Sequence, residues 1–257
     1  MERVSGFGRS LAIAFMFLSR IPMPHLKEYK IEDQRRSGLL FPLVGLLLGV
    51  LLAVLSLFLS SQFPASVSAA ILLCAWVFIT GGLHIDGLAD SADAWLGGLA
   101  DKSRSLAIMK DPRCGSGAVF TVICLLLLKY GALFHLFEQS GTGSTNLASS
   151  LIIILMLGRC SAIAVFRFCP YVSESGSALG FLDLKKTNVI NLALLIYLSL
   201  FVLLWPAGLI ELGILLLIWL GLRHLMMSRI GGCTGDTAGA SVEIIEAAAL
   251  VLLCSTG

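Results

Sequence analysis

Three aspartates stand at a spacing that would bring their carboxylates together on one helix. Asp86, Asp90 and Asp93 occur at positions i, i+4 and i+7, and a helix turning by about 100° per residue places all three on one narrow face. Like charges at this spacing destabilise a solvated helix slightly, so a cation is expected against them. Carboxylate oxygens are hard ligands, and Mg²⁺ is the usual cation where phosphates share its coordination shell. We expect these aspartates to hold Mg²⁺; the alternative is a solvated acidic face.

A basic segment rich in proline and glycine follows the aspartates. It includes Lys110, Asp111 and Arg113, and it runs into Gly115-Ser116-Gly117. Proline and glycine favour a loop, and a loop that presents cationic side chains and backbone N–H groups can bind phosphate. The alternative is that Lys110 and Arg113 only anchor the start of the next membrane span.

A second acidic stripe lies near the C-terminus. Asp236, Glu243 and Glu246 occur at i, i+7 and i+10, so a helix beginning near Asp236 would carry them on one face. We expect them to complete the metal shell or to orient an acceptor hydroxyl. Besides the basic loop, the predicted phosphate-binding residues are Arg104, Thr234 and Arg159.

The composition places these charged groups in a membrane protein. Of the 257 residues, 57% are hydrophobic and 13% are charged, and the mean hydropathy is +0.93, whereas soluble domains carry about 25% charged residues. A net charge of +2 argues against nucleic acid as a partner. The seven cysteines are odd in number and show no Cys-x-x-Cys pair, so we interpret them as small hydrophobic residues rather than zinc ligands or disulfides.

The apolar runs predict an all-α, polytopic helical bundle. A span needs about 20 residues, and we expect about seven spans in a single domain, residues 1–257. An N-terminal interfacial helix, Leu11 to Leu18, precedes them and is broken by Pro22 and Pro24. The runs are 38–60, 65–80, 118–137, 147–168, 189–205, 209–222 and a final span ending in 247–254.

Counting the spans places the chemistry on one face of the membrane. The basic residues of 1–37 and the polar loops 86–117, 169–188 and 223–246 fall on the same side, which the positive-inside rule makes the cytoplasm. The middle loop carries Glu174, Asp183, Lys185 and Lys186. Arg159 lies within an apolar run, where an arginine is costly and usually faces a partner or a cavity.

Three blocks of the sequence resemble those of the cobalamin synthase family, the adenosylcobinamide-GDP ribazoletransferases. The first is Gly81-Gly82-Leu83-His84-Ile85-Asp86-Gly87-Leu88-Ala89-Asp90-Ser91-Ala92-Asp93. The second is Ile108-Met109-Lys110-Asp111-Pro112-Arg113-Cys114-Gly115. The third is Gly231-Gly232-Cys233-Thr234-Gly235-Asp236-Thr237-Ala238-Gly239-Ala240, followed by Glu243 and Glu246. Arg20-Ile21-Pro22, Phe41-Pro42-Leu43-Val44-Gly45 and Pro170-Tyr171 are weaker matches in the same order, so the resemblance covers nearly the whole chain.

The resemblance implies a reaction and its participants. The donor would be adenosylcobinamide-GDP, the acceptor α-ribazole or its 5′-phosphate, the cofactor Mg²⁺ and the leaving group GMP. It also implies the inner membrane of a bacterium or archaeon, with the active site facing the cytoplasm. Asp93 or Asp236 would be the general base. His84 is a further candidate because its side chain titrates near neutral pH; otherwise it would orient Asp86 or cap the helix.

Two other functions compete with this one. A CDP-alcohol phosphotransferase uses related chemistry, but its motif requires an aspartate where this chain has Leu83 and an arginine where it has Asp90. A cation transporter would place its carboxylates near the middle of the bilayer on broken helices. The Gly45-x-x-x-Gly49 face fits either a homo-oligomer or packing within the chain.

Overall fold

The computed structural model describes residues 6–24, 30–140, 147–173, 188–204 and 209–255. The charged residues expected in the middle loop, 174–187, lie outside this set. The described residues form eleven helices, and Tyr171 and Cys233 make an isolated β-bridge; the all-α prediction is confirmed. The helices are α1 Gly6–Leu18, α2 Ile31–Leu39, α3 Phe41–Gln62, α4 Ala65–Thr80, α5 Leu83–Gly97, α6 Lys102–Ile108, α7 Ser116–Ser140, α8 Leu147–Phe168, α9 Asn188–Leu204, α10 Leu209–Ile230 and α11 Gly235–Cys254.

The prediction of a polytopic membrane bundle is also confirmed. Among the described residues, five helices are long and apolar enough to cross a bilayer: α3, α7, α8, α10 and α11. The pair α4 and α5 passes the same test together, and α9 is apolar but has 17 residues. By length and composition the described residues thus give five spans, or six with the bent pair, against the expected number of about seven.

Helix α8 forms the centre of the bundle, and α3 packs along it. A Cβ atom on Gly49 would lie 2.5 Å from the Cα atom of Ile152, and one on Gly45 would strike the backbone of Leu155. Only glycine permits this approach of two helix backbones. The Gly-x-x-x-Gly face is therefore used for packing within the chain.

The bend between α4 and α5 positions the acidic segment. Gly81 and Gly82 both have φ = +66°, a left-handed conformation that favours glycine. The two helices differ in direction by 87°, and α5 packs against α7 and α11. Helix α5 therefore runs across one end of the bundle instead of continuing through the bilayer. The N-terminal segment meets the same end, where the Arg20 backbone N–H donates to the Ile79 carbonyl (2.9 Å).

The predicted third loop, residues 223–246, is much shorter than expected. Helix α10 continues to Ile230 and α11 begins at Gly235. Gly231, with φ = +71°, ends α10, and the Thr234 side chain accepts from the Thr237 backbone N–H to cap α11. Hydropathy marks where a helix leaves the bilayer and not where it ends, so the polar turns of both helices were predicted as loop.

Candidate active site

The crossing of α5 and α11 brings Gly87 against Asp236. A Cβ atom on Gly87 would lie 2.6 Å from the Asp236 carbonyl oxygen and 2.9 Å from its Cα atom. One turn further along α11, Gly239 packs in the same way against the backbone of His84. These glycines let the two helices cross closely, and the crossing places the aspartates of α5 beside the first turn of α11.

The pKa of Asp90 reflects the negative charges of the carboxylates around it. Burial raises the pKa of Asp90 to about 6, and the negative charges of Asp86, Asp236 and Asp93 add to the shift. The three aspartates of the first block and Asp236 are thus brought together, as expected. Repulsion among them favours binding of a cation.

The donor set of this cluster fits Mg²⁺. Among the described residues, no three carboxylate, imidazole or thiolate groups already converge on one point. Mg²⁺ keeps several of its water ligands and is usually held by one or two carboxylates together with substrate phosphates. Asp86, Asp90 and Asp93 supply oxygen donors at the wall of one cavity, and oxygen is the donor type that Mg²⁺ takes in proteins.

Asp93 also has a structural role that its spacing to Asp86 and Asp90 does not predict. Its Oδ2 atom accepts from the Gly115 backbone N–H (2.6 Å), and its Oδ1 atom accepts from the Ala118 N–H (2.8 Å). The carboxylate thus binds the N-terminal end of α7, where a negative charge is favoured. It fixes the end of the basic loop to α5.

A polar cavity of about 400 Å³ lies between α5 and the basic loop. Asp86, Asp90 and Asp93 form one wall, and residues 109–114 form the other. Lys110, Asp111 and Arg113 all line this cavity, as expected for a phosphate site. The cavity joins carboxylates that can hold a metal to cations that can hold phosphate.

The basic loop is organised by an ion pair. Arg113 donates from Nε to both oxygens of Asp111 (2.9 and 3.1 Å) and from its terminal nitrogen to Oδ2 (2.6 Å). These bonds lower the pKa of Asp111 to about 2. The Arg113 side chain remains 87% exposed. Asp111 therefore orients the guanidinium of Arg113. Because Asp111 is itself an anion, it is not a phosphate-binding group.

The structure places Glu243, Glu246 and Arg159 away from this cavity, in the interior of the bundle. Lys129 Nζ lies 2.6 Å from Glu243 Oε2 and 3.0 Å from Glu246 Oε2, and Arg159 pairs with the other oxygen of Glu246. The ring of Trp76 lies 4.6 Å from Lys129 Nζ. We call Lys129, Arg159, Glu243 and Glu246 the buried charge quartet. Its two carboxylates neutralise two cations, so the geometry does not support a metal role for Glu243 or Glu246, nor a phosphate role for Arg159.

Glu243 and Glu246 lie away from the cavity because they are deeper in the bundle along α11 than Asp236. The i, i+7, i+10 pattern does place the three acids on one face, but Glu246 is ten residues from Asp236, or about 15 Å at 1.5 Å per residue. Only Asp236 is at the helix end. Lys129 lies inside the apolar run of α7, and this position alone indicates a buried partner, because a lysine inside a span requires one.

The other three predicted residues lie outside the cavity lining. His84 is buried, 6% exposed. It precedes Asp93 by nine residues, and at about 100° per residue this spacing places it on the opposite face of α5. The Thr234 hydroxyl serves the cap of α11 and donates to Asp236 Oδ2 (3.4 Å). Arg104 is on the exposed side of α6, where its backbone N–H donates to the Asp101 side chain. None of these positions supports direct binding of phosphate or a role as base.

The fold and the site together define a membrane-embedded helical protein with a cavity lined by carboxylates and cationic side chains at one end of its bundle. A family profile described as cobalamin-5-phosphate synthase matches residues 10–254. The chain therefore belongs to the cobalamin-5-phosphate synthase family.

Individual relatives agree along nearly the full length. A protein of Pseudomonas fluorescens, named adenosylcobinamide-GDP ribazoletransferase, is 44% identical over 93% of this chain and 96% of its own length. Relatives with the same name from Pseudomonas putida and Ectopseudomonas mendocina are each 43% identical, over 93% and 94% of this chain and 95% and 96% of their own lengths. No solved structure is significantly similar.

Proposed function

We propose that this protein is an Mg²⁺-dependent adenosylcobinamide-GDP ribazoletransferase. It transfers the cobinamide phosphoryl group from adenosylcobinamide-GDP to a ribose hydroxyl of α-ribazole or of its 5′-phosphate. The observation that carries the proposal is the closeness of Asp236 to Asp86 and Asp90, two aspartates that line one cavity together with Lys110 and Arg113. Family membership and the names of the relatives support the identity of both substrates.

Mg²⁺ would be held by Asp86, Asp90 and Asp236, with Asp93 at the edge of the set. When bound, it would neutralise the diphosphate and favour departure of the nucleotide phosphate. Asp93 contributes less because each of its oxygens already accepts a backbone N–H. We therefore propose three metal-binding aspartates where the sequence suggested six acids.

The residues of the basic loop would hold the donor. Lys110 and Arg113 line the cavity opposite the aspartates, so both cations can bind phosphoryl oxygens that the aspartates would repel. Asp111 keeps the Arg113 guanidinium oriented, and an oriented guanidinium can form paired hydrogen bonds to phosphate. Positioning and charge stabilisation of this kind supply most of the catalysis in phosphoryl transfer.

The reaction needs one proton transfer. The acceptor hydroxyl forms a bond to the cobinamide-linked phosphorus, the bond from that phosphorus to the bridging oxygen breaks, and GMP leaves with the bonding electrons. The hydroxyl proton passes to a carboxylate. We propose Asp236 for this role because His84 faces the opposite side of α5 and Asp93 binds the end of α7.

We place the site on the cytoplasmic face of the inner membrane. The C-terminal end of α4, which leads into α5, contacts Arg20 of the basic N-terminal segment, and positive charge accumulates on the cytoplasmic side of membrane proteins. The nucleotide substrate is consistent with this orientation.

The test is a GMP-release assay of the detergent-solubilised protein with GDP-cobinamide and α-ribazole, with and without Mg²⁺. Release should require both substrates and Mg²⁺, and Asp86→Asn, Asp90→Asn and Asp236→Asn should each lower it by at least tenfold. Glu138→Gln is the matched control, because this acid is exposed at the far end of α7 and should retain full activity. Full activity without Mg²⁺, or in Asp90→Asn, would contradict the metal assignment. If labelled ions enter vesicles and no GMP is released, the protein is a transporter.

A further inference from the structure

A second cavity lies within the membrane-embedded part of the bundle, remote from the aspartates. Its volume is about 340 Å³, and nearly all of its lining is apolar. Helix α8 forms its back wall, and α9 and α10 form its sides. Helix α9 packs mainly on α8, whereas α10 packs on α11 and α6, so the space between α9 and α10 is left open.

Two arginines stand at one end of this cavity, each bonded to a residue that lines it. Arg167 donates from Nε to Asn191 Oδ1 (2.9 Å), and Arg223 donates from Nε to the Phe168 carbonyl (3.3 Å). Asn191 and Phe168 both belong to the cavity wall. The two guanidinium groups therefore lie at its mouth and give that mouth a double positive charge.

Aromatic rings mark the level of the membrane boundary at the same place. The rings of Phe168 and Trp219 meet edge to face, with centroids 6.0 Å apart, and the Arg167 guanidinium lies 5.7 Å from the Phe168 ring centroid. Aromatic and cationic side chains concentrate where the hydrocarbon meets the headgroups. The mouth is thus at headgroup depth, at the end of α8 that faces the active-site side.

The length of the cavity fits one leaflet. Its deepest residue on α10, Leu212, is eleven residues from Arg223, or about 16 Å along the helix. This is about half of the 30 Å hydrocarbon core of a bilayer.

We propose that this cavity is a specific binding site for an anionic phospholipid, with one acyl chain between α9 and α10 and the phosphate at Arg167 and Arg223. Basic pockets between transmembrane helices on the cytoplasmic side are known to hold anionic headgroups. The occupant is assigned by charge: an uncharged detergent would satisfy the apolar wall but not the two arginines, and a zwitterionic lipid would bring a headgroup cation beside them. The site is independent of the reaction proposed above.

Native mass spectrometry of the detergent-solubilised protein tests this proposal. Phosphatidylglycerol and phosphatidylcholine with identical acyl chains are titrated in parallel. The wild-type protein should bind phosphatidylglycerol about tenfold more tightly, and Arg167→Gln/Arg223→Gln should remove that preference. Arg229 lies six residues beyond Arg223 on α10, about 9 Å farther from the cavity along the helix, so Arg229→Gln should bind as the wild type does. Equal binding of both lipids by the wild type would overturn the proposal.

A second pair of variants tests the cavity itself. Leu216 lines it, whereas the neighbouring Leu217 does not, and both side chains are more than half exposed. Leu216→Trp should weaken binding of both lipids by at least fivefold, and Leu217→Trp should leave it unchanged. Unaltered binding in Leu216→Trp would overturn the proposal even if the arginine variant did not fold. Displacement of phosphatidylglycerol by α-ribazole would also overturn it and would assign the cavity to the acceptor.

Discussion

The backbone of Asp236 lies directly against Gly87, with no space for a side chain at residue 87. This contact sets the distance between the acidic helix α5 and the first turn of α11. Gly87→Ala should therefore push Asp236 away from Asp86 and Asp90. We expect GMP release to fall by at least tenfold and the Mg²⁺ concentration for half-maximal rate to rise several-fold.

Gly131→Ala is the matched control for this variant. Gly131 is a helical glycine of α7, and a methyl group at this position would meet no neighbouring atom within 4 Å. Alanine there should stabilise the helix by roughly 0.5–1 kcal/mol, and its Mg²⁺ dependence should equal that of the wild type. If Gly87→Ala also kept the wild-type Mg²⁺ dependence, the crossing of α5 and α11 would not position the metal ligands.

The buried charge quartet predicts a strong dependence of stability on its pairing. Lys129→Met leaves Glu243 and Glu246 with only Arg159 as a partner, and loss of one partner from a buried pair typically costs about 3–5 kcal/mol. The double variant Lys129→Met/Glu243→Gln restores charge balance and should recover part of the loss. Thermal unfolding in detergent measures both. This account would be contradicted if the double variant lost more stability than the losses of the two single variants added together.

Much of the fold could be predicted because hydropathy and glycine placement are local signals. The apolar runs indicated the membrane helices, and the i, i+4, i+7 spacing indicated one face for Asp86, Asp90 and Asp93. The partner of a buried charge is not local information. Lys129 lies 114 residues from Glu243 in sequence, and only the packing of α7 on α11 brings them together. The spacing rule therefore predicted a shared face for Asp236, Glu243 and Glu246, but not that Glu243 lies deeper in the bundle, against Lys129.

The raised pKa of Asp90 predicts a pH dependence of metal binding. This carboxyl has a pKa of about 6 in the protein without metal, compared with 3.8 ordinarily, so it is mostly protonated below pH 6. Mg²⁺ must then displace a proton, and its apparent affinity should fall by up to about tenfold for each pH unit below 6. Mg²⁺ titrations between pH 5 and 8 measure this change. In Asp90→Asn the affinity should be weak at every pH, with a flatter profile; an unchanged profile would assign the titration to another group.

The two hydrogen bonds of Asp93 predict a separate role for this residue in holding the basic loop. Asp93→Ala removes both acceptors of the Gly115 and Ala118 N–H groups, and the loss of a helix cap costs about 1 kcal/mol. The loop that carries Lys110 and Arg113 should then lose its fixed end. We expect the KM for GDP-cobinamide to rise several-fold and cleavage of the 109–115 segment by trypsin to accelerate. Asp93→Asn keeps one carbonyl acceptor and should lie between the wild type and Asp93→Ala in both measurements. If both variants instead changed only the Mg²⁺ dependence, with the KM for GDP-cobinamide and the cleavage rate unaltered, Asp93 would act as a metal ligand and the loop would be held by other contacts.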